Sequence, residues 1–317
     1  MSVKHLFFTL VVFALLSEVD GTNGAQLKST NDIAEKARSL LKAGNVDAAI
    51  RVCSDAISAN PKNAEAFCWR GVAFSEGGQQ AKAIADCTEA IRLDPKLVDA
   101  YVKRGIAYAI YGDHDKAIAD YRVALRLDPG YPSVHGLLGV VYTRQGKSDI
   151  AMAEYSLELR LNPKDEVVYC ARGHAFQSRG ELDKAIADFS SAIRVNPKYA
   201  GAFSSRGVAF AELGDFDKAI LDFTEVIRLG GKLADARKNR GDAYFQKGDL
   251  DKAIVDYTEA IRLDPTFVSA YESRGRAYEK RGDKAKAERD FAEAKRRSSG
   301  VPRGKEKTKG PEPRRFG

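Results

Sequence analysis

Two short stretches contain residue types that catalysis or ligand binding uses. Cys170 and His174 lie four residues apart, a spacing that places both on one helix face, as in half a metal site or an activated thiol. No third and fourth ligand follow at a recognisable spacing. The Gly-Lys-Ser at residues 146–148 is similar to the end of a phosphate-binding loop, but Val141 stands where that motif requires a glycine. The sequence therefore predicts no enzyme, no metal and no cofactor.

Most of the chain consists of a 34-residue repeat. A 17-residue motif recurs in it eight times, most clearly at residues 249–265, DLDKAIVDYTEAIRLDP. With the residues upstream, each copy becomes two amphipathic segments separated by a glycine, which ends the first helix in the left-handed conformation. A proline closes most copies behind an Asn or Asp, predicted to cap the next helix. A fixed period of this length predicts stacked helix hairpins rather than one globular core.

Six of the eight repeats carry an arginine before an internal glycine of the first helix and an aspartate in the second helix. Both positions are equally far from the turn, so we expect a structural ion pair in each repeat rather than a row of arginines for an acidic ligand. Repeat four has Leu138 and Glu154 at these positions, and repeat one has Lys36 and Val52. The predicted pairs are Arg70 with Asp86, Arg104 with Asp120, Arg172 with Asp188, Arg206 with Asp222, Arg240 with Asp256, and Arg274 with Asp290.

The units resemble the tetratricopeptide repeat, whose pattern is W-x2-L-G-x2-Y, then A-x3-F, then P. The arginine before the glycine departs from that pattern. The resemblance implies an all-α fold, a right-handed superhelical solenoid of antiparallel helix hairpins of the kind found in bacterial arrays. Repeat three matches at Tyr101, Gly105, Tyr108, Ala117, Tyr121, Ala124 and Pro129. The repeats are predicted at residues 30–63, 64–97, 98–131, 132–165, 166–199, 200–233, 234–267 and 268–299.

The resemblance also implies a concave groove, lined by the first helices, that holds a segment of a partner protein. The groove positions of repeats two to five are mostly apolar, which suits a partner helix or strand, although neighbouring repeats could cover some of them. Lys238, Asn239 and Arg276 are only a fragment of the family's clamp for a C-terminal carboxylate. The candidate groove residues are Cys68, Trp69, Val72, Lys103, Ile106, Ile110, Leu137, Val140, Cys170, His174, Gln177, Asn239 and Arg276.

Two local features set limits on the array. The eighth repeat replaces apolar second-helix positions with Glu288 and Lys295, so its last helix is predicted to cap the stack. Repeat six ends in Gly-Gly instead of Asp-Pro, which predicts a soft joint over residues 228–240.

The four cysteines are expected to be free thiols. Cys53 and Cys87 lie in helices about 8–10 Å apart, too far for a disulfide, and the side chains of Cys53 and Cys68 point in different directions.

The first residues differ from the repeats. Lys4 precedes an apolar run at residues 6–16 and a short polar stretch, which is typical of a signal peptide at residues 1–21, followed by a linker at residues 22–29. The run is shorter than the roughly 20 residues that span a bilayer, so no transmembrane segment is expected after cleavage. An uncleaved anchor is the alternative.

The net charge of +7 comes from the C-terminal end, because residues 295–317 hold nine Lys and Arg and two Glu. Residues 300–317 are predicted to be a disordered basic tail, which either solubilises the chain or attracts an anionic surface or polymer. The repeats have no net positive charge, so nucleic acid is a disfavoured partner. The sequence predicts an exported scaffold, periplasmic or secreted, that binds a protein or peptide in its groove; the alternative is a tether in which the tail binds and the array is a spacer.

Overall fold

The computed structural model of the protein describes residues 30–299. The predicted signal peptide, linker and basic tail lie outside the described residues. The chain divides into two compact units, the first ending at Pro197 and the second beginning at Lys198. The soft joint over residues 228–240 stays a prediction, which hydrogen exchange would test. There Gly230 ends a helix with a positive φ of 72°, and Gly231 packs closely against Val226, so the two glycines form a packed helix end.

Each unit is built of helix pairs, one pair for each repeat, and neighbouring pairs pack against each other within the unit. The described residues contain helices and turns and no strands, which confirms the all-α fold class. The first unit contains α1 (Thr30–Lys42), α2 (Val46–Ala59), α3 (Ala64–Glu76), α4 (Gln80–Leu93), α5 (Val98–Tyr111), α6 (His114–Leu127), α7 (Val134–Arg144), α8 (Ser148–Leu161), α9 (Glu166–Ser178) and α10 (Leu182–Val195). The second unit contains α11 (Ala200–Leu213), α12 (Phe216–Arg228), α13 (Leu233–Gln246), α14 (Leu250–Leu263), α15 (Val268–Arg281) and α16 (Lys284–Ser298).

The turn inside each hairpin is formed as the glycine pattern predicts. Gly112, for example, takes a φ of 99° after α5, a conformation that a side chain would strain. The N–H groups of Gly112 and Asp113 both donate to the carbonyl of Tyr108, at 2.9 Å each, which satisfies a helix end that would otherwise lack donors. Asp113 then accepts a hydrogen bond from the N–H of Lys116 and caps α6. One tight turn thus ends one helix and starts the next.

The Asn or Asp before each proline does not cap the next helix, contrary to the prediction. Asp94 stands at the C-terminal end of α4, and its carboxylate accepts a bond from the N–H of Lys96, two residues later, at 2.9 Å. That is the geometry of an Asx turn. The next helix begins only at Val98, too far along the chain for Asp94 to reach its N–H groups.

Small residues allow the two helices of a hairpin to approach closely. In repeat three, a Cβ added to Gly105 would lie 2.6 Å from the ring of Tyr121, and Tyr121 is fully buried. The same contact joins Gly139 to Tyr155 and Gly173 to Phe189. Packing of this ring offsets the roughly 1 kcal/mol that glycine costs inside a helix. The aromatic residues of the repeat are therefore core.

Candidate partner-binding surface

The six arginines predicted to be structural all donate to the predicted aspartates. In each pair the guanidinium makes two hydrogen bonds, from Nε to one carboxylate oxygen and from Nη2 to the other, at 2.7–2.9 Å. The carboxylate hydrogen bond raises the pKa of Arg104 and outweighs the effect of burial. A bidentate pair of this kind holds both side chains in one geometry.

The same arginines also contact neighbouring groups. Arg104 donates from Nη1 to the hydroxyl of Thr88, in the second helix of the preceding repeat, at 3.1 Å. Its Cζ also lies 5.9 Å from the ring centroids of Tyr101 and Tyr108, so the guanidinium is held between two rings. The equivalent bond to the preceding repeat is made by Arg70, Arg172, Arg240 and Arg274, so each of these arginines joins three helices and its guanidinium is committed to the fold.

Repeat four joins its two helices through other residues. Leu138 replaces the arginine and is buried. The acidic position is Glu154, and its carboxylate contacts Nδ1 of His135 at 2.7 Å. His135 stands where repeats three and five have Tyr101 and Tyr169. The hydrogen bond between the two helices is thus retained with a titratable partner.

A second departure in repeat four was not predicted. Glu158 is only 1% exposed, although the corresponding residue of repeat three is Ala124. Its carboxylate accepts hydrogen bonds from the N–H groups of Ser133 at 3.1 Å and Gly136 at 3.2 Å, so it caps the N-terminus of α7. Ser133 is the one residue other than glycine with a positive φ in the described part of the chain, at 65°. A glutamate at an alanine position was the available sequence signal.

Seven of the thirteen candidate groove residues are buried, and six keep an accessible surface. The first helices of successive repeats contact one another within each unit, and these side chains fill the space between them. Lys103 is among them, with 7% of its surface exposed. The buried candidates are Cys68, Val72, Lys103, Ile106, Leu137, Val140 and Cys170.

Trp69 is the most informative of the candidates that keep an accessible surface. Its ring is half-buried against a cluster that includes Leu41 and Val72. The guanidinium carbon of Arg38 lies 5.2 Å from the ring centroid and Nζ of Lys103 lies 6.0 Å from it. Arg38, Trp69 and Lys103 come from repeats one, two and three, and we call them the Trp69 surface. It presents an aromatic ring near two cations, one of which, Lys103, is buried.

The remaining candidates of the first unit, Ile110, His174 and Gln177, are half-buried. Burial lowers the pKa of His174 to about 4, and a hydrogen bond with Gln177 opposes this only in part. The imidazole packs edge-on against Phe189, with ring centroids 5.0 Å apart. Burial also raises the pKa of the Cys170 thiol. His174 is therefore a neutral packing residue at pH 7, and Cys170 is not an activated nucleophile.

In the second unit, Asn239 is half-buried and Arg276 is exposed. Arg276 and Lys238 line a cavity of about 230 Å³. Lys238 donates to a carboxylate oxygen of Asp242 at 2.6 Å, and the hydroxyl of Tyr257 donates to the other oxygen at 2.9 Å. The ammonium of Lys238 is thus already paired within the unit, which leaves the clamp fragment with one exposed cation.

Two properties of the described residues bear on other classes of protein. Among residues 30–299, no group of three or more His, Cys, Asp or Glu side chains is placed to hold a metal ion. Over the same residues, no helix has the length and apolar composition that would let it cross a membrane.

Comparison with known proteins identifies the repeat. Models of the TPR repeat match residues 108–146, 173–214 and 241–282, and a model of the tetratricopeptide repeat matches residues 35–98. Together they cover more than half of the chain. The chain belongs to the tetratricopeptide repeat family, a class of helical interaction scaffolds. No curated protein matches the sequence.

Solved structures support the same fold. A chain of the APC/C hetero-tetramer Cut9-Hcn1 matches with a TM-score of 0.63 and 21% identity, over 87% of this chain and 53% of that one. This chain thus spans about half the length of that relative. A tetratricopeptide repeat protein from Parabacteroides merdae matches with a TM-score of 0.56 and 19% identity, over 79% of this chain and 99% of that one. A thermophilic TPR protein of Thermus thermophilus, TTC0263, has a TM-score of 0.51 and 23% identity, over 58% of this chain and 100% of that one.

Proposed function

We propose that the chain is an exported, non-catalytic scaffold, periplasmic or secreted, that binds a protein or peptide segment at the Trp69 surface. Membership of the tetratricopeptide repeat family supports the scaffold role. The N-terminal run at residues 6–16 supports export, because its length and flanks are those of a signal peptide.

The observation that carries the choice of surface is the half-buried ring of Trp69 near Arg38 and Lys103. Tryptophan and arginine are enriched among residues that dominate binding energy. A matching partner segment carries an apolar or aromatic side chain that packs on the indole and a carboxylate within reach of Arg38, while the buried Lys103 adds positive potential beneath the ring. The buried candidates, such as Ile106 and Val140, support the shape of this surface without contacting the partner.

Trp69 also makes the proposal directly testable, because it is the single tryptophan of the chain. After affinity capture has identified a partner, titration of its binding segment should change the fluorescence of Trp69. Trp69→Ala should weaken binding by roughly thirtyfold, the effect of a strong interface residue. Leu221→Ala is the matched control, because Leu221 is apolar and 69% exposed in the second unit. Equal affinities of the two variants would show that the Trp69 surface is not the binding site.

The charge of residues 300–317 supports the alternative function, a tether whose basic tail binds an anionic polymer or membrane. Deleting residues 300–317 distinguishes the two. Undiminished partner binding by the shortened chain favours the Trp69 surface. Complete loss of binding, with Trp69→Ala unaffected in the full chain, favours the tether.

A further inference from the structure

The four cysteines occupy only two positions of the repeat. Cys68 and Cys170 are equivalent residues of a first helix, and Cys53 and Cys87 are equivalent residues of a second helix. The second position is the one that holds the aromatic ring in repeats three to eight. Repeat two is therefore the one repeat in which both positions are cysteine.

The two thiols of repeat two lie side by side. Cys87 takes the place of the ring against the helix glycine: its Sγ is 2.7 Å from where a Cβ on Gly71 would stand. Gly71 is one turn after Cys68 in α3, so the Cys87 thiol lies against the face of α3 that carries Cys68. They belong to α3 and α4, the antiparallel helices of one hairpin.

Neither of the other cysteines has this arrangement. In repeat one, the residue equivalent to Cys68 is Ala34, so Cys53 has no thiol opposite it in its hairpin. In repeat five, the residue equivalent to Cys87 is Phe189, whose ring lies against Gly173. The chain therefore contains one adjacent dithiol and two internal controls.

We propose that Cys68 and Cys87 are an oxidisable pair that forms a disulfide within repeat two, joining α3 to α4. The oxidant is a disulfide-bearing molecule. The Cys68 thiolate attacks one of its sulfurs, forming a mixed disulfide and releasing one thiolate. Cys87 then loses its proton and attacks the Cys68 sulfur, which forms the new bond and releases the second thiolate. The two sulfurs of the oxidant accept the two electrons and the two protons, and so become two thiols.

The reaction is gated by the packing of the hairpin. Cys68 is 3% exposed and Cys87 is 1% exposed, so the oxidant reaches them only when α3 and α4 separate locally. The neighbouring Cys87 thiol and burial both raise the pKa of the Cys68 thiol, which keeps Cys68 protonated and slow to react in the folded protein. Once formed, the bond holds the hairpin that carries Trp69 closed.

The experiment treats the full chain with oxidised glutathione, blocks the remaining thiols and maps peptides without reduction. The expected crosslink joins Cys68 to Cys87, forms slowly in buffer and forms faster in a low concentration of urea. Cys68→Ala and Cys87→Ala should each abolish it, whereas Cys53→Ala and Cys170→Ala should leave it unchanged. Circular dichroism checks that each variant is folded, and the peptide map of the unaltered chain remains decisive if one is not.

A gain of crosslinking provides an independent test. Ala34→Cys places a thiol opposite Cys53 in repeat one and should produce a second crosslink there under the same conditions. The proposal is overturned if the unaltered chain, oxidised in buffer and in low urea, yields only mixed disulfides with glutathione. A crosslink that joins Cys68 or Cys87 to Cys53 or Cys170 as its main product overturns it equally.

Discussion

Repeats three and four follow each other in the first unit and have the same 34-residue frame, yet their hairpins are joined by different chemistry. In repeat three, Arg104 binds Asp120 through two hydrogen bonds of 2.8 Å, and neither charge is accessible to a ligand. In repeat four, His135 contacts Glu154 at 2.7 Å, and Leu138 fills the place of the arginine. The frame accepts different polar links between the two helices, and repeat one has Lys36 and Val52 in place of a charged pair.

The two repeats also differ where the second helix meets the start of the first. Repeat three has Ala124 at this place and repeat four has Glu158, which the N–H groups of Ser133 and Gly136 hold. A carboxylate is tolerated at a buried position when backbone donors replace its water. Repeat four therefore has His135 with Glu154 where repeat three has the ion pair of Arg104 and Asp120. It also has the carboxylate of Glu158 where repeat three has the methyl group of Ala124.

The largest difference between the repeats should appear when the permanent pair is broken. Arg104→Leu gives repeat three the residue that repeat four has, but it leaves Asp120 buried without its partner. We expect a loss of about 3–5 kcal/mol in the free energy of unfolding, measured by urea unfolding and by hydrogen exchange of α5 and α6. Arg126→Leu is the control, because Arg126 is exposed and should change stability by less than about 0.5 kcal/mol.

Adding Asp120→Asn to Arg104→Leu should recover part of the loss, because the uncompensated charge is removed. If the single variant is as stable as the Arg126 control, the arginine is not a structural residue and the comparison with repeat four fails.

A smaller effect is expected in repeat four. His135→Ala should cost about 1–2 kcal/mol, since the Glu154 side chain keeps 19% of its surface in solvent and is less costly to leave unpaired than Asp120. A double-mutant cycle with Glu154→Ala should give a coupling of about 1 kcal/mol between the two side chains. Additive effects would mean that the contact contributes nothing to stability.

The pH dependence of Glu158 should give the smallest effect. Burial raises the pKa of Glu158 in the folded state, and the hydrogen bonds from Gly136 and Ser133 oppose this only in part. The folded protein therefore retains a proton that the unfolded chain loses, so this group reduces stability as pH rises from the ordinary pKa of glutamate through the raised value.

Glu158→Gln removes this titration and keeps an oxygen acceptor. The free energy of unfolding of the variant, minus that of the unaltered protein, should increase as the pH of the urea titration is raised from 4 to 7. A constant or falling difference would show that the backbone donors, not burial, control the carboxylate.

Much of the fold follows from periodicity. The 34-residue spacing, the turn glycines and the matched heights of Arg104 and Asp120 are local or within one hairpin, where helix geometry converts sequence separation into position. The partner-binding surface depends instead on how closely the first helices of successive repeats approach. At the approach observed, Val72, Ile106 and Val140 are buried and Trp69 stays accessible. The sequence pattern of a single repeat does not specify how closely its first helix approaches the next.

The sequence by itself determined the repeat period, the two helices in each repeat, the six ion pairs and the family, because each is a property of the repeated unit. Only the tertiary structure decided which first-helix side chains remain accessible, how Glu158 caps α7 and that Cys87 packs against Gly71, one turn from Cys68. These results depend on side-chain directions and on close approach between packed helices. Two residues at the same distance from the hairpin turn can be in contact or apart. The outcome depends on side-chain and helix-packing angles, which the 34-residue spacing does not specify.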